Sequence, residues 1–332
     1  MNERFRWWGR KIGEFSSPER IHYTAWEALW MRVGMVFLLA QSLPYVRGFG
    51  GQPVPNGLAR WMDFTFLSNP AVMEPIRWVF IGSLVFYFLG YGMRVVVPII
   101  FAIIVAEGTL GNSQGAINHV TQVLALVLLG QILGMYWEWF QTLRKKREKQ
   151  ELRKNLRDGW ISGAIQALAA VYVVSGIVKL LNSEGDWIKD VPNFAVQLVK
   201  ASEMALHNTA NPPDSSQSEL MVWWMGEYPN LARMFFGSGL VLELGAVLAL
   251  LNRRWALVLG LSLLAMHETI SKIMHLGFYY NKVLLIIFCV NLPYWLRVIW
   301  EKRTQWGQVL MKKWKRTPGR WEKRETVVGN DS

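Results

Sequence analysis

The chain has one cysteine, Cys289, in 332 residues. A disulfide scaffold is therefore excluded, because a bridge needs two thiols. Charge is also scarce. Asp, Glu, Lys and Arg make up 18% of the sequence, below the roughly 25% usual in soluble domains. Acidic residues are the scarcer sign, 24 against 36 Lys and Arg, which leaves a formal net charge of +12. There is no cysteine cluster, no HExxH pattern and no phosphate-binding glycine loop, so no metal site is expected. The chain is rich instead in apolar and aromatic side chains, 52% hydrophobic with 18 Trp. That content excludes intrinsic disorder.

The apolar residues come in blocks. A bilayer core needs about 20 apolar residues per helix. Eight spans are expected, at 27–46, 76–93, 95–110, 116–139, 160–181, 232–251, 255–275 and 277–298. The second and third are joined by a tight Gly92-Met93-Arg94 turn. Trp26, Trp78, Trp137, Trp160, Trp223, Trp255 and Trp300 crowd the span ends, as at membrane interfaces. The expected fold class is an all-α polytopic membrane bundle. Residues 1–25 would be a basic N-terminal segment, 26–300 the membrane domain and 301–332 a basic tail. The first span reads as an uncleaved anchor, because about 26 polar residues is long for a signal n-region.

The charge pattern sets a direction. Segment 141–158 carries eight basic residues and three acidic, and 297–324 carries ten basic residues. With eight alternating spans these fall on one side, together with 1–25 and the Arg253-Arg254 turn. The opposite side has 182–230, with two Lys and seven Asp or Glu. The positive-inside rule then places both termini in the cytoplasm. The basic segments suit an anionic inner leaflet, so lipid rather than nucleic acid is the expected partner. Within 182–230, an amphipathic outer helix is expected over 192–206 and a solvated loop over 207–219.

Ionisable groups inside a membrane are costly and mark candidate sites. His119, Lys179 and Glu107 fall near the outer face, and His267 lies about 12 Å below it at 1.5 Å per residue. Ser271 and His275 follow His267 on one helical face. Asn118 and Gln122 stand beside His119. Lys179 has a plain alternative reading, snorkelling to outer headgroups. Lys272 is expected to pair with Glu268. Gly277 has the plain reading of a close helix approach. Arg32 and Glu243 fall nearer the inner face and are expected to form a structural ion pair. His267 and His275 are too far apart on one helix to share a metal ion.

Four patches resemble a known family. They are YVVSGIVKLLNSEGDW at 172–187, Asn118-His119 heading a span, GLVLELGAVLALLNRR at 239–254, and His267 with Gly277 in HETISKIMHLGFYY. In this order they resemble the HTTM-type membrane domain of vitamin K-dependent γ-glutamyl carboxylases and their bacterial stand-alone relatives. The resemblance implies a quinone-dependent, lyase-type carboxylase and epoxidase chemistry. A lysine deprotonates vitamin K hydroquinone with a histidine's help, and the base made on oxygenation serves glutamate carboxylation. Lys179 would be the base, with His119 and His267 assisting. Asn118, Gln122, Gly277 and Tyr279 would bind the cofactor. The substrate would be a peptide or protein at the outer face, with membrane lipids around the bundle. A bacterial plasma membrane with a periplasm-facing pocket is the expected location. Glu243 stands where the family has aspartate, and no propeptide-binding module is expected after the membrane part. Non-catalytic peptide or lipid maturation, binding or export is the alternative.

Overall fold

The computed structural model describes residues 15, 17–19, 21–45, 54–113, 120–144, 149–209, 216–274 and 276–315. Among them every regular element is helical, with no strand. The α-helices are α1 (Ala25–Gln41), α2 (Pro70–Leu89), α3 (Met93–Asn112), α4 (Val120–Arg144), α5 (Lys149–Asn182) and α6 (Phe194–Thr209). They continue as α7 (Ser216–Glu227), α8 (Pro229–Gly245), α9 (Arg253–Met274), α10 (Tyr279–Leu284) and α11 (Leu292–Lys315). The chain divides into two compact units after Asn291.

Among the described residues, seven helical stretches are long and apolar enough to cross a membrane: Pro70–Leu89, Met93–Asn112, Thr121–Arg144, Glu151–Asn182, Pro229–Leu250, Arg253–Ile273 and Tyr279–Gln305. The protein is an all-α integral membrane protein. The first expected span is α1, of 17 residues. At 1.5 Å per residue that is about 26 Å, just short of a typical hydrocarbon core. The helix stops at Gln41 rather than running to residue 46.

Local chemistry explains the helix ends. Thr24 caps α1 by accepting from the Glu27 amide at 3.2 Å, and Glu27 accepts from the Thr24 amide at 2.9 Å. This reciprocal capping box satisfies two amides that the first turn leaves free. Asn69 caps α2, with Pro70 in its first turn. Gly90 and Gly92 take φ of 75° and 61° between α2 and α3. Such angles favour glycine, which explains how so short a link reverses the chain.

Helices α4 and α5 pack backbone to backbone. A Cβ added at Gly130 would stand 2.3 Å from the Gly163 carbonyl oxygen, and one at Gly134 2.1 Å from that of Gly159. Each helix therefore carries glycines four residues apart on the contact face, the small-xxx-small pattern of membrane helices.

The main core gathers Met31, Met35, Leu38, Phe80, Tyr87, Ile100, Leu124, Val127, Ile161 and Phe288 from α1 to α5 and the Leu285–Val290 segment. A separate small core joins Val191, Leu198, Met225, Ala232 and Ile273, with Trp187, Phe194 and Phe236 packed against it. Residues expected as a surface segment thus fold into a cap with its own apolar centre. Leu198 is fully buried, as the expected amphipathic face requires. The expected solvated loop is shorter than 207–219. Helix α6 runs to Thr209 and α7 starts at Ser216, because Leu220, Met221 and Val222 extend a helical run.

At the other end, a polar network holds the residues before α1. Buried Glu27 pairs with Arg253 and accepts from Asn291 Nδ2 at 2.7 Å. Arg253 also donates to the His22 carbonyl at 2.8 Å. The Tyr23 amide donates to Asp158 at 3.0 Å, and the Asn252 side chain donates to the carbonyls of Phe15 and Ser17. Asn291 ends the π-helical segment Leu285–Val290 with φ of 48°.

Candidate functional site

The site begins on one face of α5. Tyr172, Ser175, Gly176 and Lys179 stand at i, i+3, i+4 and i+7, which places them in one row on a helix. Gly176 permits α8 to approach. A Cβ there would meet Leu244 Cδ2 at 2.9 Å and Glu243 Cβ at 3.5 Å. The approach brings Glu243 under Lys179. Lys179 Nζ lies 2.5 Å from both Glu243 oxygens, and Ser175 Oγ donates to Oε1 at 3.4 Å. The glutamate side chain is 7% exposed and the lysine 34%, so the pair opens to one side. The Trp187 ring lies 5.6 Å from Nζ.

This arrangement corrects the expected Arg32–Glu243 pair. The Arg32 guanidinium lies against Gly90, where an added Cβ would stand 1.9 Å from Nη1. Residue counting from the expected span limits separates Glu243 and Lys179 in depth, and the lysine side chain reaches across to the carboxylate. Snorkelling of Lys179 to outer headgroups is overturned by the same contact.

A second cluster lies between α5, α9 and α10. The Tyr172 hydroxyl and His267 Nε2 are 2.7 Å apart, and the two rings 5.6 Å. The Phe278 ring is 4.6 Å from the imidazole on another side. Asn281 lies near enough to act on the Tyr172 hydroxyl, and Lys179 and Lys282 to act electrostatically on His267. His267 is 4% exposed. Its Nδ1 and the buried Ser271 Oγ have no hydrogen-bond partner among the described residues. Glu268 holds Lys282 at 2.9 Å and Lys272 at 3.7 Å, so the expected Lys272 contact forms and Lys282 joins it.

The other expected residues are dispersed. Tyr279 accepts from Gln41 Nε2 at 3.2 Å, beside a Ser42–Tyr280 hydroxyl contact at 2.8 Å. Both bonds tie the end of α1 to α10. Gly277 is exposed, and an added Cβ would meet open space, so no close helix approach explains it. Gln122 lines a cavity of about 220 Å³ with Asn56, Thr109, Asn112 and Thr121. That cavity shares no lining residue with the Lys179 or His267 contacts. Glu107 is buried and lines an apolar cavity of about 190 Å³ with Leu67, Met73 and Ile103. His119, Asn118 and His275 lie outside the described residues. Among the described residues no group of three or more His, Cys, Asp or Glu could hold a metal ion.

Tyr172, Ser175 and Asn281 were missed by sequence reasoning. The first two had a signal, their helical spacing from Lys179; Asn281 had none.

No family model matches this chain, and neither does any curated protein or solved structure.

Proposed function

We propose that this membrane protein binds a lipophilic hydroquinone-type molecule, vitamin K hydroquinone or a similar quinol, and takes a proton from its hydroxyl. The reading carries with it an outer-face peptide or protein substrate, a bacterial plasma membrane and cytoplasmic termini. The observation that supports it is the half-open Lys179–Glu243 pair among apolar helices, with Trp187 at its rim.

The pair alters the role expected for Lys179. An ammonium held against a carboxylate is not itself a base, since the carboxylate favours the charged form. The two groups accept a proton as a unit. Glu243 takes it and becomes neutral, while Lys179 stays cationic and supplies the counter-charge. A bound quinol would bring an acidic hydroxyl and the electrons needed for reaction with oxygen. The apolar surroundings exclude water, which strengthens each electrostatic contact. Lys179, Glu243 and Trp187 would hold the hydroxyl end, and His267 would assist from the neighbouring cluster.

Turnover tests this reading. The protein in lipid nanodiscs would receive reduced vitamin K, bicarbonate, oxygen and a glutamate-containing peptide. Mass spectrometry would follow quinone epoxide and addition of one CO2 to the peptide. Epoxide is expected with the native chain and absent with Lys179→Ala and with Glu243→Gln, both checked for folding by thermal unfolding. No epoxide from the folded native chain overturns it.

A second reading is favoured by the cap. Helices α6 and α7 pack with Ala232 of α8 and Ile273 of α9 around a small apolar core separate from the main one. A folded outer cap suits a protein that binds, matures or exports a peptide or lipid without catalysis. Cap substitutions would then impair function while Lys179→Ala would not.

A further inference from the structure

His267 and Ser271 carry shielded atoms, Nδ1 and Oγ, that each lack a hydrogen-bond partner among the described residues. They stand at i and i+4 of α9 and so share a helical face. No bond joins Nδ1 to Oγ, although both atoms are shielded. Leaving two such groups unsatisfied is costly, and buried polar groups in native structures nearly always have partners.

The surrounding bonds decide what they would hold. The Tyr172 hydroxyl lies 2.7 Å from His267 Nε2, and no other acceptor for its proton stands among the described residues, so the phenol donates to Nε2. With Nε2 accepting, the neutral imidazole carries its proton on Nδ1. Nδ1–H and the Ser271 hydroxyl are then two neutral donors. The nearby lysines have their own carboxylates, Lys179 with Glu243 and Lys282 with Glu268. The local balance therefore offers no unpaired cation to an anionic ligand. The flanking rings of Tyr172 and Phe278 favour a flat apolar body.

We infer that His267 and Ser271 form a subsite for the carbonyl oxygen of a flat, lipophilic ligand. Nδ1–H and the Ser271 hydroxyl donate to that oxygen, and Tyr172 positions His267 by fixing its tautomer. The inference goes beyond the quinol reading and stands without it.

Nitrogen NMR of ¹⁵N-histidine protein in nanodiscs tests it, with His267 assigned through His267→Gln. The free protein is expected to show Nδ1 protonated, and Tyr172→Phe to move the proton to Nε2. The probes are 2-acetylnaphthalene, its isosteric alkene 2-isopropenylnaphthalene, and 2-naphthoate. The ketone alone is expected to shift the Nδ1 resonance. Ser271→Ala should weaken ketone binding about tenfold, the worth of one buried hydrogen bond. Ser271→Thr, which keeps the hydroxyl, should restore it. Equal shifts with ketone and alkene would reduce the effect to partitioning and overturn the subsite. Tighter binding of naphthoate would overturn the neutral carbonyl assignment. Failure of quinol turnover leaves these readouts unmoved, whereas turnover with a silent His267 sinks the subsite alone.

Discussion

Lys179 places its ammonium 2.5 Å from both oxygens of Glu243. One residue stands in the last turn of α5 and the other in the last turn of α8. Their meeting depends on Gly176, which lets the two helices approach.

The pair should therefore behave as a unit in stability. Lys179→Met alone leaves a carboxylate buried without its counter-ion. We expect a loss of about 2 kcal/mol, below the 3–5 kcal/mol of fully buried pairs because the lysine is part-exposed. Lys179→Met with Glu243→Leu should recover most of it. Thermal unfolding in nanodiscs, arranged as a double-mutant cycle, measures the coupling. Additive single effects would show that the two side chains do not interact.

The glycine contact between α4 and α5 makes a sharper prediction. Gly163→Ala would push a methyl group to within 2.0 Å of the Gly130 carbonyl oxygen, so the helices must separate. A loss above about 3 kcal/mol is expected, from overpacking and lost contact together. Gly82→Ala meets nothing within 4 Å. It should be neutral or stabilise by up to about 1 kcal/mol through helix propensity. Similar unfolding temperatures for the two variants would contradict the packing.

The polar network around Glu27 can be read by hydrogen exchange. Asp158→Ala removes the acceptor of the Tyr23 amide, and Arg253→Ala releases the His22 carbonyl. Both should speed exchange across residues 21–24 about tenfold, the worth of one bond. Peptides around Lys179 should exchange as before. Faster exchange at both ends would mean general unfolding instead.

Orientation has a simple chemical test. Cys289 is the chain's one thiol and is buried, so native protein should resist an impermeant maleimide. Glu184→Cys, between α5 and the cap, should label in intact cells. Arg153→Cys, in the basic stretch at the start of α5, should label only after permeabilisation. The reverse pattern would invert the assigned topology.

Much of the architecture was legible because apolar blocks and flanking charges carry it. The paired glycines at 130 and 134 and at 159 and 163 were equally visible and went unread. The Lys179–Glu243 contact was harder to see. Residue counting fixes the depth of a Cα, whereas a lysine stem moves its charge by a full helical turn. Tyr172 and Ser175 follow from Lys179 by helical spacing once that lysine is chosen. Asn281 has no such relation, since only tertiary packing brings α10 to α5. The cap was hidden by composition: its polar surface reads as a loop, while Val191, Leu198 and Met225 are too widely spaced to announce a shared core.

A lone lysine at this depth would feel the transmembrane voltage as a positive charge, worth about 2.3 kcal/mol per 100 mV for full passage. The matched Glu243 cancels that coupling. Whether the membrane is energised or collapsed, an uncharged guest would settle beside the pair with the same affinity.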